Sequence, residues 1–235
     1  NTSSTLNIYG GNVSGGPSVN AGGCTFVNSS AVCTIYGGTL TGGSTAKNGG
    51  CIYLNGKLYM KGGTVQGGES TGNYGGNIYV AANKIFEMTG GTVTGGKAKL
   101  GGGNISAIGK VTISNGEVSN GVVSAGGGGN LLVDVTKTDG VITAAGSATI
   151  SGGTFSYGSG NAQRGSMRGN ADATLNVTGG TFQYGGINHE TKEVTATKGG
   201  NLVILSESCT ITGGTFIGGQ STEHGGNIRT GKNIT

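Results

Sequence analysis

The chain has 235 residues, 55 of them glycine and one proline; charged residues make up 10%, hydrophobic residues 33%, and the net charge is +4. Glycine without a three-residue period, beside a lone proline, excludes collagen, and so low a charge excludes a disordered polyelectrolyte. No apolar run approaches the ~18 residues of a membrane-spanning helix, and the scattered basic residues make no nucleic-acid footprint.

Taken in order, the chain repeats one unit eight times. Its landmark is a Gly-Gly pair whose first residue falls at Gly10, Gly37, Gly62, Gly90, Asn115, Gly152, Gly179 and Gly213. Four residues before each landmark stand Leu6, Cys33, Leu58, Phe86, Val111, Ala148, Leu175 and Cys209, and two before it Ile8, Ile35, Met60, Met88, Ile113, Ile150, Val177 and Ile211. Three after it stand Val13, Leu40, Val65, Val93, Val118, Phe155, Phe182 and Phe216. The first two columns alternate with polar residues, which is the period of a strand with one dry face. A second phrase, Gly-Gly-Asn-Ile/Leu, lies between landmarks and places Asn77, Asn104, Asn130, Asn201 and Asn227 in one column.

Each unit of 25–28 residues therefore holds three short strands separated by glycine turns. A unit this small cannot bury its own apolar face, so neighbours must stack. The pattern predicts one all-β domain over residues 1–235, a right-handed parallel β-helix of about eight rungs spaced ~4.8 Å apart. The asparagines are expected to form a structural ladder along the stack, each amide bonding to the next. The absence of an obvious polar cap at either end reads as a segment of a longer repeat array, or as a rod that stacks end to end.

Two stretches interrupt the period, residues 133–147 and 187–198, and the rung between them has Gly165-Ser-Met167-Arg168 in place of the Gly-Gly-Asn-Ile phrase. Inserted loops on a regular rod are free to carry function. The second insertion concentrates charge in a charge-poor chain, and Arg164, Arg168, His189, Glu190 and Lys192 are the candidate ligand patch. Cys24 and Cys51 occupy the asparagine column in adjacent rungs, at a spacing that suits a disulfide, with Cys24–Cys33 as the rival pairing. Cys33 and Cys209 read as small core residues. A bridge would imply export.

No catalytic arrangement stands out. Ten acids are dispersed without a paired-carboxylate motif, and neither nucleophile, zinc nor phosphate-loop signatures occur. The expectation is a protein that is not an enzyme and that needs neither cofactor nor metal. A diverged carbohydrate-active β-helix enzyme is the alternative. So is an ice-binding face, because Thr39, Thr64, Thr92, Thr154, Thr181 and Thr215 fall in one outward column.

The phrases Met60-Lys-Gly-Gly-Thr-Val, Met88-Thr-Gly-Gly-Thr-Val-Thr-Gly-Gly, Gly76-Asn-Ile-Tyr-Val and Ile211-Thr-Gly-Gly-Thr-Phe resemble the glycine-rich β-helix repeats of bacterial cell-surface, adhesin-like proteins. The resemblance covers nearly the whole chain apart from the insertions and the irregular rung. It implies a non-catalytic, extracellular, wall-associated stalk or adhesin. Its expected partners are a host glycan or protein, or neighbouring copies end to end, with neither nucleic acid nor membrane insertion.

Overall fold

The structure is a computed structural model that describes residues 3–160, 165–206 and 208–231. Its regular elements are all strands. Parallel strands stack into a β-solenoid of eight turns, each turn visiting three sheets in the same order. The first sheet runs from Thr5–Ile8 through Val32–Ile35, Lys57–Met60, Ile85–Met88, Lys110–Ile113, Ser147–Ile150 and Thr174–Val177 to Ser208–Ile211. The second begins at Asn12–Ser18 and ends at Thr215–Ile217, and the third runs from Thr25–Val27 to Ile228–Thr230. Short strands Glu69–Ser70, Lys97–Ala98, Val122–Val123 and Ser159–Gly160 extend the second sheet in four turns.

The register reproduces the sequence columns residue for residue. Leu58, Phe86, Val111, Ala148, Leu175 and Cys209 are successive partners in the first sheet. Val65, Val93, Val118, Phe155, Phe182 and Phe216 are successive partners in the second. These side chains join one continuous core. Volume is shared within a rung: Phe86 is matched by Val93, Ala148 by Phe155 and Cys209 by Phe216. Such large–small alternation is what close packing demands. Where the larger ring recurs, it stacks, with centroids 5.1 Å apart for Phe155–Phe182 and 4.7 Å for Phe182–Phe216.

The asparagine column is a fully paired ladder inside the solenoid. Asn77 donates to Asn104 Oδ1 at 2.8 Å, and Asn104 donates to Asn130 Oδ1 at 2.9 Å. Each amide also closes a glycine turn: Asn104 Oδ1 accepts from Gly96 N–H, and its Nδ2 donates to the Ser119 carbonyl one rung on. All four side chains Asn77, Asn104, Asn130 and Asn201 are wholly buried. A buried amide is tolerated only when its donors and acceptors are matched, and here they are.

In the irregular rung, Ser166 takes the asparagine position, its hydroxyl accepting from Asn130 Nδ2 at 2.9 Å. Met167 then pairs with Leu131 and Leu202, and Arg168 with Leu132 and Val203. The replaced phrase thus sits one residue earlier in register than a four-for-four substitution implies. Beyond that rung the ladder resumes, Asn201 donating to Asn227 Oδ1 at 2.7 Å.

The two insertions fold differently. Within 133–147, Val133 and Ser147 belong to rung strands, and the extra chain is an antiparallel hairpin, Val135–Thr138 with Val141–Ala145. Its tip, Asp139-Gly140, has φ of 52° and 80°, the left-handed pair that matches the twist of a two-residue hairpin turn. Within 187–198 the chain forms a tight loop instead, anchored by an antiparallel bridge between Ile187 and Val194.

Candidate functional site

The site grows out of a single backbone position. From the second rung on, one second-sheet position turns the chain with positive φ, and it is glycine at Gly42, Gly67, Gly95 and Gly218, with φ from 55° to 76°. In three consecutive rungs between them it is Asn120 (57°), Tyr157 (50°) and Tyr184 (53°). Asparagine enters this region readily, but a bulky aromatic residue does so at a cost of ~1–3 kcal/mol, and such strain concentrates at functional sites. Two tyrosines in a glycine column need a compensating use.

The second insertion supplies one. Tyr157 and Tyr184 stack with centroids 5.1 Å apart, His189 meets the Tyr157 ring edge-on at 4.8 Å, and Lys192 Nζ lies over that ring at 5.2 Å. Asn188 shapes the loop: its Oδ1 accepts from Glu190 N–H at 2.8 Å and from Thr191 N–H at 3.1 Å, a side-chain mimic of a backbone turn. Thr195 N–H returns to the Gly186 carbonyl at 2.8 Å, and Ala196 is wholly buried. The loop is therefore fixed at both ends and braced on the tyrosine pair.

Between loop and rungs lies a cavity of about 180 Å³, lined by Gly95, Lys97, Asn120, Val122, Asn188, His189 and Glu190. Residues nearly seventy positions apart in the chain thus face one another. Asn120 Nδ2 donates to Thr94 Oγ1 at 3.3 Å, while its Oδ1 is buried without a hydrogen-bond partner. An ammonium, an imidazole, a carboxylate and an amide around an aliphatic floor make a binding site for a polar ligand with hydroxyl or amide groups.

Of the candidate patch, His189 and Glu190 line this cavity and Lys192 braces the loop. Arg168 is elsewhere: it is only 6% exposed in the third sheet, with its Nε unpaired. Arg164 lies outside the described residues. Tyr157, Tyr184, Asn120 and Lys97 are not in that patch, although the two tyrosines carry a signal, an aromatic residue in a glycine column.

Cys24 and Cys51 are stacked in adjacent rungs, their sulfurs 2.6 Å apart. Burial pushes Cys33 and Cys209 up to about 11, as expected of core thiols. Among the described residues, no group of three or more His, Cys, Asp or Glu is arranged to hold a metal ion. Comparison with protein-family models, with curated proteins and with solved structures finds no match.

Proposed function

We propose that this chain is a non-catalytic extracellular surface module, an adhesin or stalk of a bacterial cell-surface protein, whose second insertion makes its contact with a host glycan or protein. The observation that carries this reading is the cavity beneath residues 188–190, built on strained tyrosines that the solenoid itself does not need. The glycine-rich β-helix resemblance supports the surface setting. A rod whose backbone groups are paired rung to rung also suits a spacer exposed to proteases.

The test is an array of host glycans and host proteins, probed with the chain and with a variant in which residues 188–193 are replaced by Gly-Gly. The replacement keeps Ile187, Val194 and the buried Ala196. Binding that disappears in the variant supports an adhesive module. Binding equal in both proteins contradicts the loop as the contact, and silence from both leaves a spacer or an end-to-end rod.

A further inference from the structure

We infer that the cavity under the second insertion is one end of a longer groove that takes an acidic oligosaccharide whose anionic groups are separated by neutral sugars; this deepens the adhesive reading above and rests on it. A second cavity of about 230 Å³ adjoins the first and is bounded by Glu69, Thr71, Lys97, Lys99, Val122 and Ser124. The two share Lys97 and Val122 as walls. Together they follow the short strands Lys97–Ala98 and Val122–Val123, from Gly95 and Asn120 at the loop to Lys99 and Ser124 at the far end. Each cavity alone is below the ~300 Å³ at which pockets begin to hold small organic ligands, and joined they exceed it.

The order of charges along this groove defines the ligand. Lys97 and Lys99, two residues apart, project to the same side, both exposed. Neither joins an ion pair among the described residues, where the pairs are Lys137–Asp172 and Lys198–Glu223. The two ammonium groups, against the single carboxylate of Glu69 beside them, leave a net positive centre for a carboxylate or sulfate. Glu69, register partner of Lys97, flanks that lysine on the neighbouring strand, and Glu190 stands at the loop end. These two carboxylates, one beside Lys97 and one at the loop end, repel a second anion placed directly beside the first and accept hydrogen bonds from neutral hydroxyls. Asn120 lines the loop end of the groove beside Lys97. Val122 presents an aliphatic surface to the C–H face of a ring. A polymer with an anion on every sugar meets repulsion from Glu69 and Glu190, whereas alternating acidic and neutral sugars match the pattern.

The experiment is calorimetric titration of the intact chain with a hyaluronan hexasaccharide, which alternates glucuronate and N-acetylglucosamine, and with neutral chitohexaose. Polygalacturonate and heparin hexasaccharides, the first with a carboxylate on every sugar and the second densely sulfated, complete the panel. The expected result is binding to the alternating hexasaccharide that weakens with salt. Chitohexaose and both dense polyanions should bind at least tenfold more weakly. Lys97→Gln with Lys99→Gln should weaken binding at least tenfold without lowering the melting temperature. Asn120→Gly, a residue native to this column, should weaken it a few-fold. Failure of the alternating hexasaccharide to bind, equal binding of any control sugar, or wild-type affinity in the double lysine variant overturns the inference. If these fail while array binding still depends on residues 188–193, the acidic ligand is wrong and the loop contact stands. If array binding ignores the loop, the adhesive reading falls as well.

Discussion

The two insertions share a rod and differ in what they do with it. The hairpin 135–145 satisfies its own backbone through local pairing and projects outward, Val141 67% and Ile142 44% exposed. Its attachments are light: Lys137 reaches Asp172 at 2.8 Å, and Asp134 accepts from Asn170 Nδ2. The loop 187–198 closes through tight turns, Asn188 N–H bonding to the Glu193 carbonyl and Lys192 N–H to the Asn188 carbonyl at 2.9 Å each, and it lays side chains on the stack. Ile187 is 8% exposed, and His189 and Lys192 rest on Tyr157. The hairpin's base also borders a cavity, of about 250 Å³ between Tyr79, Ser106 and Val135, so the loop differs from it in laying charged and aromatic-contacting side chains on the rungs rather than in being the one insertion with a concave site.

The largest expected effect lies beneath both insertions. Asn130→Ala, in the hairpin's rung, leaves Gly121 N–H without its acceptor and removes one bond each from the Ser156 carbonyl, the Asn104 amide and the Ser166 hydroxyl. Asn201→Ala, in the loop's rung, leaves Gly185 N–H without its acceptor and removes one bond each from the Ile217 carbonyl and Asn227 Oδ1, which keep Tyr184 N–H and Gly219 N–H. Each should cost roughly 3 kcal/mol or more, because buried polar groups lose their partners, as read by denaturant unfolding. Only Asn201→Ala should also make the loop sensitive to limited proteolysis. Equal sensitivity in both variants would break the distinction drawn here.

A smaller effect is expected from the tyrosines. Tyr157→Gly relieves a left-handed backbone but removes the ring that braces His189 and Lys192, two contributions of about 1 kcal/mol each that oppose one another. Stability should change little while proteolytic cleavage at 188–193 rises clearly. A variant that stays protease-resistant would show that the loop does not depend on the ring.

The smallest effect belongs to the hairpin. Lys137→Ala removes an ion pair whose side chains are 44% and 41% exposed. Such a pair contributes ~0–1 kcal/mol and is screened by salt, so the melting temperature should be nearly unchanged. A loss above about 2 kcal/mol would mean that the hairpin is integral to the stack after all.

The solenoid was legible in the sequence because its register is written in period-two apolar columns and in glycines that only tight corners require. The asparagine ladder was legible for the same reason. Less visible was the hairpin, although Asp139-Gly140 is a strong turn signal, and its neighbours Val133 and Ser147 were grouped with the insertion rather than with the rungs. His189 and Glu190 stood out as charges in a charge-poor chain. Lys97 and Asn120 did not, since their place in the cavity depends on where a loop almost seventy residues later comes to rest, and local pattern does not encode that. Arg168 illustrates the opposite error: a charge in an irregular rung looks exposed, yet the register places it among Leu132 and Val203.

The most direct test of the account is hydrogen exchange on the intact chain with and without the hyaluronan hexasaccharide. The account predicts slowed exchange at residues 188–190 and 120–122 on adding the sugar, with residues 135–145 unaffected. Protection confined to the hairpin, or protection nowhere, would contradict it.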